Sequence, residues 1–108
     1  MQSQKDYNYK KNYINFHKMK GIYNKDSYDF VLKNFDNLKI LIKQLEFSVR
    51  THNCLKELGI KDVGELIQLS EIYLIRSPNF GKKSLTEVNE ILGRLNLKLN
   101  TDIIWPMD

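Results

Sequence analysis

Two stretches decide the fold of this 108-residue chain: LEFSVRTHNCLKELGIKDVGELIQL at residues 45–69 and PNFGKKSLTEVNEIL at residues 78–92. In both, apolar side chains return every three or four positions, which is the spacing of one buried face of an α-helix. Neither stretch alternates apolar and polar residues as a half-buried strand does. The pattern predicts an all-α fold, a compact domain of four to five helices with tight connections.

The capping residues predict where the first two of these helices begin and end. We expect Ser48 to cap a first helix that ends beside Gly59, a residue suited to the left-handed turn that follows a helix. Asp62 and Glu65 have the spacing of a capping box, which predicts a second helix that runs to Leu69.

Two further helices follow in the same stretch. Ser70 opens a very short one, which is stopped by the Ser-Pro-Asn cluster at residues 77–79. Gly81 precedes a longer helix over about residues 82–95, and Asn96 is suited to end it in the left-handed conformation.

Positive charge is concentrated at the front of the chain. Residues 1–44 hold nine Lys and four Asp, a sum of +5, whereas residues 45–108 hold eight basic and nine acidic residues, a sum of −1; together they give the net charge of +4. Residues 1–25 contain two Ile and no Leu or Val. Such a segment buries too little apolar area to offset the entropy of ordering it, so we expect a disordered basic tail.

The remaining organisation follows from the change in composition after the tail. We expect residues 26–44 to form a lead-in helix or linker, with Asp26 or Ser27 as the cap of the helix. The apolar face of this helix could pack on the domain that follows, or it could pair with a second copy of the chain to form a homodimer. We expect residues 45–100 to form the compact domain and residues 101–108 to be an extension that contains a Trp-Pro pair.

Several classes of function are excluded by what the sequence lacks. Cys54 can form no internal disulfide, and with only His17 and His52 it cannot complete a four-ligand zinc site. No phosphate-binding loop or dinucleotide fingerprint is present. No apolar run approaches the roughly 20 residues of a membrane span, and no secretory signal opens the chain. We therefore expect a cytoplasmic protein that is not an enzyme and uses no metal, cofactor or membrane.

Two predicted helix beginnings carry the residues that suggest chemistry: Arg50, Asn53 and Cys54 at the first, and Gly81, Lys83 and Ser84 at the second. A helix N-terminus presents unpaired N–H groups and the positive end of the helix dipole, so it favours a phosphate. An arginine can enter a narrow A·T minor groove, and an asparagine can bond to base edges. Each feature alone also has a plain structural explanation, as a cap, a turn or a solvated lysine.

The two stretches strongly resemble the C-terminal domain of the bacterial RNA polymerase α subunit. The likeness lies in the opening LEFSVRTHNCL, in the hairpin NFGKKSLTE, in the spacing between them and in the closing Trp-Pro pair. It implies a helix-hairpin-helix-like element that binds the minor groove of A+T-rich promoter DNA. The DNA-binding positions that it implies are Arg50, Asn53, Cys54, Gly81, Lys83, Ser84 and Glu87. Of these, we expect Glu87 to orient basic side chains, because a carboxylate repels phosphate.

The resemblance also implies partner surfaces, and the sequence departs from the family there. Lys43 and Gln44 stand where the family has an acidic pair at its sigma-factor edge, although Glu46 remains. Ser70 and Glu71 match the surface that contacts transcription regulators. The large domain that assembles polymerase has no counterpart in residues 1–44.

The interpretation that follows is a DNA-binding transcription module that acts with or on RNA polymerase, located in the cytoplasm at the nucleoid, or in an organelle stroma if plastid-encoded. An alternative stays open: a module that docks on polymerase, sigma factor or a regulator without binding DNA. A third option is an accessory piece of repair machinery, but Asn79 stands where such hairpins usually carry their first glycine.

Overall fold

The computed structural model describes residues 25–105. The helices are α1 (Lys25–Leu38), a short 3-10 helix (Ile42–Gln44), α2 (Val49–Glu57), α3 (Val63–Leu66), α4 (Glu71–Ile75) and α5 (Lys82–Arg94). Within the described range there are five α-helices and no strand, apart from a single antiparallel bridge. The predicted all-α class is confirmed. The basic tail up to residue 24 and Pro106 lie outside the described residues.

The chain divides into two compact units, and the described part of the first comprises residues 25–35 and 103–105. In its described part, the hydroxyl of Ser27 accepts the backbone N–H of Ile104 at 2.8 Å. The rings of Phe35 and Trp105 meet edge to face, with centroids 5.9 Å apart. The prediction that Asp26 or Ser27 caps α1 is wrong, because both lie inside the helix and the Ser27 oxygen bonds to Ile104 instead.

The apolar face predicted for residues 26–44 is buried within one molecule, with Val31, Phe35, Leu38 and Ile42 each 5% exposed or less. A homodimer through this segment would therefore need another face of α1.

The second unit comprises residues 36–102. After α1 the chain runs extended, and two backbone hydrogen bonds join it to the start of α3: Ile42 N–H to the Lys61 carbonyl at 2.9 Å, and Val63 N–H to the Ile40 carbonyl at 3.0 Å. These bonds fix the lead-in segment against the turn between α2 and α3.

Helix α2 begins and ends as predicted. The hydroxyl of Ser48 accepts the backbone N–H of Thr51, and Gly59 takes a φ of 76° just beyond the helix. The left-handed conformation costs glycine little, because it has no Cβ.

Helix α3 is shorter than predicted. Asp62 caps it, but it ends at Leu66 instead of Leu69. The carbonyls of Ile67 and Leu69 accept the N–H groups of Thr101 and Asn100, both at 2.8 Å. The N–H groups of residues 68 and 69 bond three residues back instead of four, so the chain turns more tightly there than an α-helix does.

Helices α4 and α5 match their predicted starts. The hydroxyl of Ser70 accepts the N–H of Tyr73 at 3.1 Å and caps α4, while Gly81 is the cap of α5. Asn96 ends α5 with a φ of 59°. The interior of the second unit is built by side chains that are fully shielded from solvent: Leu55, Val63, Leu66, Ile67, Leu74, Val88 and Leu92. Burying each stabilises the fold by about 1.5–3 kcal/mol, and this core holds α2 and α5 in place.

Candidate nucleic-acid interface

The first turns of α2 and the loop that leads into α5 meet at the backbone of Asn79. Arg50 Nε–H donates to the Asn79 carbonyl oxygen at 3.2 Å, and the Cys54 thiol donates to the same oxygen at 3.3 Å. Gly81 follows two residues later. The two helix beginnings singled out from the sequence therefore lie on one surface.

The conformation of Asn79 makes this arrangement possible. Its φ of 65° lies in the left-handed region, which asparagine enters more readily than most residues. Pro78 precedes it, and the buried ring of Phe80 anchors the loop on its other side. The turn is closed by the Phe80 N–H, which donates to the Ser77 carbonyl at 3.2 Å.

A shallow depression of about 440 Å³ opens at this junction. Its lining residues are Val49, Arg50, Asn53, Cys54, Glu57 and Asn79. Arg50 and Asn53 are exposed, whereas Cys54 is buried. Cys54 thus forms the base of the depression and fixes the loop through its thiol, while the two polar side chains face solvent.

The carboxylate of Glu87 on α5 holds the start of α2. Its Oε1 accepts the backbone N–H of Ser48 at 2.7 Å, and its Oε2 accepts the hydroxyls of Ser48 at 3.0 Å and Thr51 at 2.7 Å. The Thr51 oxygen also lies 2.8 Å from the hydroxyl oxygen of Ser84. This network joins the capping residue of α2 to the first turns of α5.

The directions of these bonds follow from counting protons. Thr51 has one hydroxyl proton, and the carboxylate can only accept, so that proton points to Glu87. The short contact with Ser84 then requires the Ser84 hydroxyl to donate to Thr51. Ser84 is only 3% exposed, so its side chain braces the two helices inside the protein.

The network also controls the charge of Glu87. Partial burial by itself raises the pKa of the carboxyl, but the N–H of Ser48, the hydroxyls of Thr51 and Ser48 and the charge of Lys83 outweigh it. The pKa of Glu87 therefore lies below its ordinary value. At neutral pH the residue is an anion committed to internal donors and to Lys83.

The beginning of α5 is open to solvent. Gly81 has an ordinary extended backbone, with φ −107° and ψ −175°, and a Cβ built on it meets no atom within 4 Å. Neither the turn nor internal packing requires glycine there. The N–H groups of residues 81–84 have no acceptor in the described part of the chain, and Lys83 is exposed beside them.

The predicted partner-contact residues stand apart from this network. Ser70 caps α4, Glu71 accepts the side-chain N–H of Asn89 at 3.2 Å, and Glu46 is exposed. None of the three shares a hydrogen bond with Arg50 or Glu87 among the described residues.

Sequence reasoning missed Thr51, and it included Asn79 in the second helix start without foreseeing the role of its backbone carbonyl. Thr51 is fully buried and lies four residues before Leu55 on the apolar stripe of α2. A hydroxyl on such a stripe needs a buried partner, and that signal could have found it. The role of Asn79 is performed by its backbone carbonyl, for which the side chain gives no signal.

Neither a membrane span nor a metal site is found among the described residues. Among residues 25–105 no helix is both long and apolar enough to cross a membrane. The same residues contain no group of three or more His, Cys, Asp or Glu side chains arranged to hold a metal ion.

Comparison with known proteins identifies similar sequences and structures. The profile of the family described as the C-terminal domain of the bacterial RNA polymerase alpha chain matches residues 32–94. The NMR structure of the C-terminal domain of the RNA polymerase alpha subunit from Helicobacter pylori is 39% identical, with a TM-score of 0.56. That match covers 64% of this protein and 60% of the Helicobacter one. The profile match includes helices α2 to α5 and every residue of the network described above.

Proposed function

The protein belongs to the family formed by the C-terminal domain of the bacterial RNA polymerase α subunit. On that premise, we propose that it binds the minor groove of A+T-rich duplex DNA. In this proposal it acts in transcription with or on RNA polymerase. The family is a non-catalytic domain of the polymerase, in agreement with the prediction that the protein is not an enzyme. Its place of action is then the cytoplasm, at the nucleoid, or an organelle stroma if the gene is plastid-encoded.

The observation that carries the proposal is the fixed guanidinium of Arg50. Its Nε is held by the Asn79 carbonyl, whereas its two terminal nitrogens have no acceptor among residues 25–105. A planar group oriented in this way loses little entropy when it bonds with the acceptors in an A·T minor groove, where the narrow groove deepens the negative potential. Asn53, exposed on the same depression, reaches the base edges or sugars beside it.

The start of α5 grips the adjoining phosphates in this proposal. The unpaired N–H groups of residues 82–84 and the helix dipole attract an anion, and Lys83 adds a full charge. The absence of a side chain at Gly81 lets a sugar-phosphate backbone approach the helix end. Ser84 contributes by bracing α5 against Thr51, since its hydroxyl is bonded internally.

Glu87 and Cys54 support the interface without contacting bases. Glu87 fixes the relation of α2 to α5 and draws the charge of Lys83 toward the helix start. Cys54 fixes the loop that carries the Asn79 carbonyl. The basic segment at residues 1–24, which holds five Lys and one Asp, adds affinity that is independent of sequence and sensitive to salt.

Partner contacts form a second part of the proposal. Glu46 remains exposed near the edge that faces sigma factor in the family, and Ser70 and Glu71 lie at the edge that faces regulators. Binding to polymerase, sigma factor or a regulator through these edges would supply the selectivity that short A+T tracts lack.

A titration of labelled A+T-rich duplex with the full-length protein, at two salt concentrations, tests the DNA-binding proposal. We expect saturable binding that weakens steeply with salt, because phosphate contacts release counterions. No binding at the lower salt concentration would reject it and favour a module that docks on proteins alone.

A further inference from the structure

A second depression, of about 720 Å³, lies beside the proposed DNA face. Ile42, Ile60 and Leu41 form its apolar part, and the first two are buried whereas Leu41 is 37% exposed. Three exposed lysines, Lys43, Lys56 and Lys61, complete its border. The volume lies within the range of about 300–1,000 Å³ that is typical of ligand sites.

The depression has a strong charge asymmetry. No acidic side chain lines it, and none of its three lysines forms an ion pair within residues 25–105. Four acids lie close to these lysines in sequence, and none lines the depression. Glu46 is exposed outside it, and Glu57 lines the other depression. Glu65 accepts the backbone N–H of Lys61, and Asp62 accepts the N–H of Glu65. Three like charges held around an apolar floor repel one another until an anion joins them.

One wall of the depression is rigid. The Nε2 of His52 bonds to the Leu45 carbonyl at 2.9 Å, so that nitrogen carries the proton. The His52 ring also meets the Phe47 ring edge to face at 5.6 Å. The site therefore exists before any ligand arrives.

We propose that this depression binds an acidic segment of another protein, one that inserts a large apolar side chain between Ile42 and Ile60 and places flanking Asp or Glu side chains against Lys43, Lys56 and Lys61. The apolar floor favours a peptide over duplex DNA, whose phosphates gain nothing from it. The protein's own front segment is excluded by charge, since residues 1–24 carry five Lys and one Asp. This site is separate from the proposed DNA contacts, although Asn53 borders both depressions.

The test uses the full-length protein and a fluorescein-labelled twelve-residue peptide made of Asp, Glu and Leu with a central Phe. Fluorescence anisotropy should show saturable binding, and amide shifts in the 15N-labelled protein should centre on Leu41, Ile42, Lys56 and Ile60. The double variant K56E/K61E should weaken binding at least tenfold. The charge-matched control K33E/K98E, at two exposed lysines outside the depression, should change it less than twofold.

Two peptide controls separate charge from apolar contact. A peptide with Lys in place of every acid should not bind, and one with Ala in place of Leu and Phe should bind at least tenfold more weakly. Arg50 does not line this depression, so Arg50→Ala should leave peptide binding unchanged. The peptide-binding result is therefore independent of whether the DNA proposal is correct. The same K56E/K61E protein should melt within a few degrees of the parent.

Either of two results would overturn the proposal. One is peptide binding that K56E/K61E and K33E/K98E weaken equally, which would indicate attraction by net charge. The other is a K56E/K61E variant that no longer binds A+T-rich DNA but still binds the peptide, which would assign Lys56 and Lys61 to nucleic acid.

Discussion

The Oε1 atom of Glu87 accepts the backbone N–H of Ser48 at 2.7 Å, across 39 residues of sequence. One carboxylate thus ties the capping residue of α2 to the second turn of α5. Because Arg50 follows Ser48 by two residues and Lys83 precedes Glu87 by one helical turn, this bond sets the relative position of the two cations that we propose to grip DNA. The first predictions concern this bond.

Replacing Glu87 by Ala should lower the free energy of unfolding by about 1–3 kcal/mol, because it removes the charged acceptor of the Ser48 N–H and of the Ser48 and Thr51 hydroxyls. Urea denaturation measures the change. Glu90→Ala is the matched control, since Glu90 is exposed on the same helix and surface changes of this kind are usually within about 0.5 kcal/mol. Equal losses in the two variants would show that the network contributes nothing.

The same residue should make stability depend on acid pH. The pKa of Glu87 is lower in the folded protein than its ordinary value of 4.5, so the unfolded protein binds the proton more tightly. Its contribution is therefore complete well above that value and is lost as the pH falls through the folded pKa. We expect the difference in free energy of unfolding between the parent and Glu87→Gln to be constant from pH 7 down to just above the ordinary pKa of 4.5. Below that pH the difference should shrink. A difference that grows on acidification would contradict the sign of the shift.

Gly81→Ser should separate folding from binding. The extended backbone of residue 81 suits a capping serine. Because serine is a slightly better N-cap residue than glycine, the free energy of unfolding should stay the same or rise by a few tenths of a kcal/mol. The new side chain occupies space that is empty in the folded protein, so it should obstruct a phosphate and weaken DNA binding. Thermal melting and a DNA titration measure the two effects.

Gly93→Ala is the control for that substitution. Gly93 lies near the other end of α5, and a Cβ there also meets no atom within 4 Å. It should stabilise the helix by about 0.5–1 kcal/mol without changing DNA affinity. If Gly81→Ser binds DNA as well as Gly93→Ala does, the open helix start is not a phosphate site.

Asn79 should be replaceable by glycine but not by alanine. Its φ of 65° costs an ordinary residue about 1–2 kcal/mol, so Asn79→Ala should lose stability of about that size whereas Asn79→Gly should lose little. Because the backbone carbonyl holds Arg50, Asn79→Gly should also keep DNA affinity within about twofold. Loss of DNA binding in Asn79→Gly at unchanged stability would assign the contact to the asparagine side chain.

Local signals in the sequence were sufficient for most of the fold. Ser48, Ser70 and Gly81 sit at helix starts as predicted, and Gly59 and Asn96 take the left-handed turns. Each of these depends on interactions within a few residues, which a local pattern contains.

The errors arose where distant backbone bonds to these segments. Helix α3 gives way to a tighter turn at residues 68 and 69, and the carbonyls of Ile67 and Leu69 bond to residues more than 30 positions away. Ser27 lies inside α1 and bonds to Ile104. Local spacing does not contain these pairings.

The candidate site likewise has a part that the local sequence predicts and a part that only the packing shows. The sequence placed Arg50 and Lys83 at two helix starts, but the inward bond of the Ser84 hydroxyl and the carbonyl of Asn79 emerge only from the packing of α2 against the loop. The assignment of the site residues to DNA stays a prediction.

The most direct test compares Arg50→Ala and Lys83→Ala on two duplexes of equal length, one A+T-rich and one of mixed sequence, at the same salt concentration. Arg50→Ala should abolish the preference for A+T, bringing the ratio of the two Kd values to about one. Lys83→Ala should weaken both complexes by the same factor and keep the ratio of the parent, because a phosphate contact carries no sequence information. Equal losses from both variants on both duplexes would contradict a groove-reading arginine beside a phosphate-binding helix start.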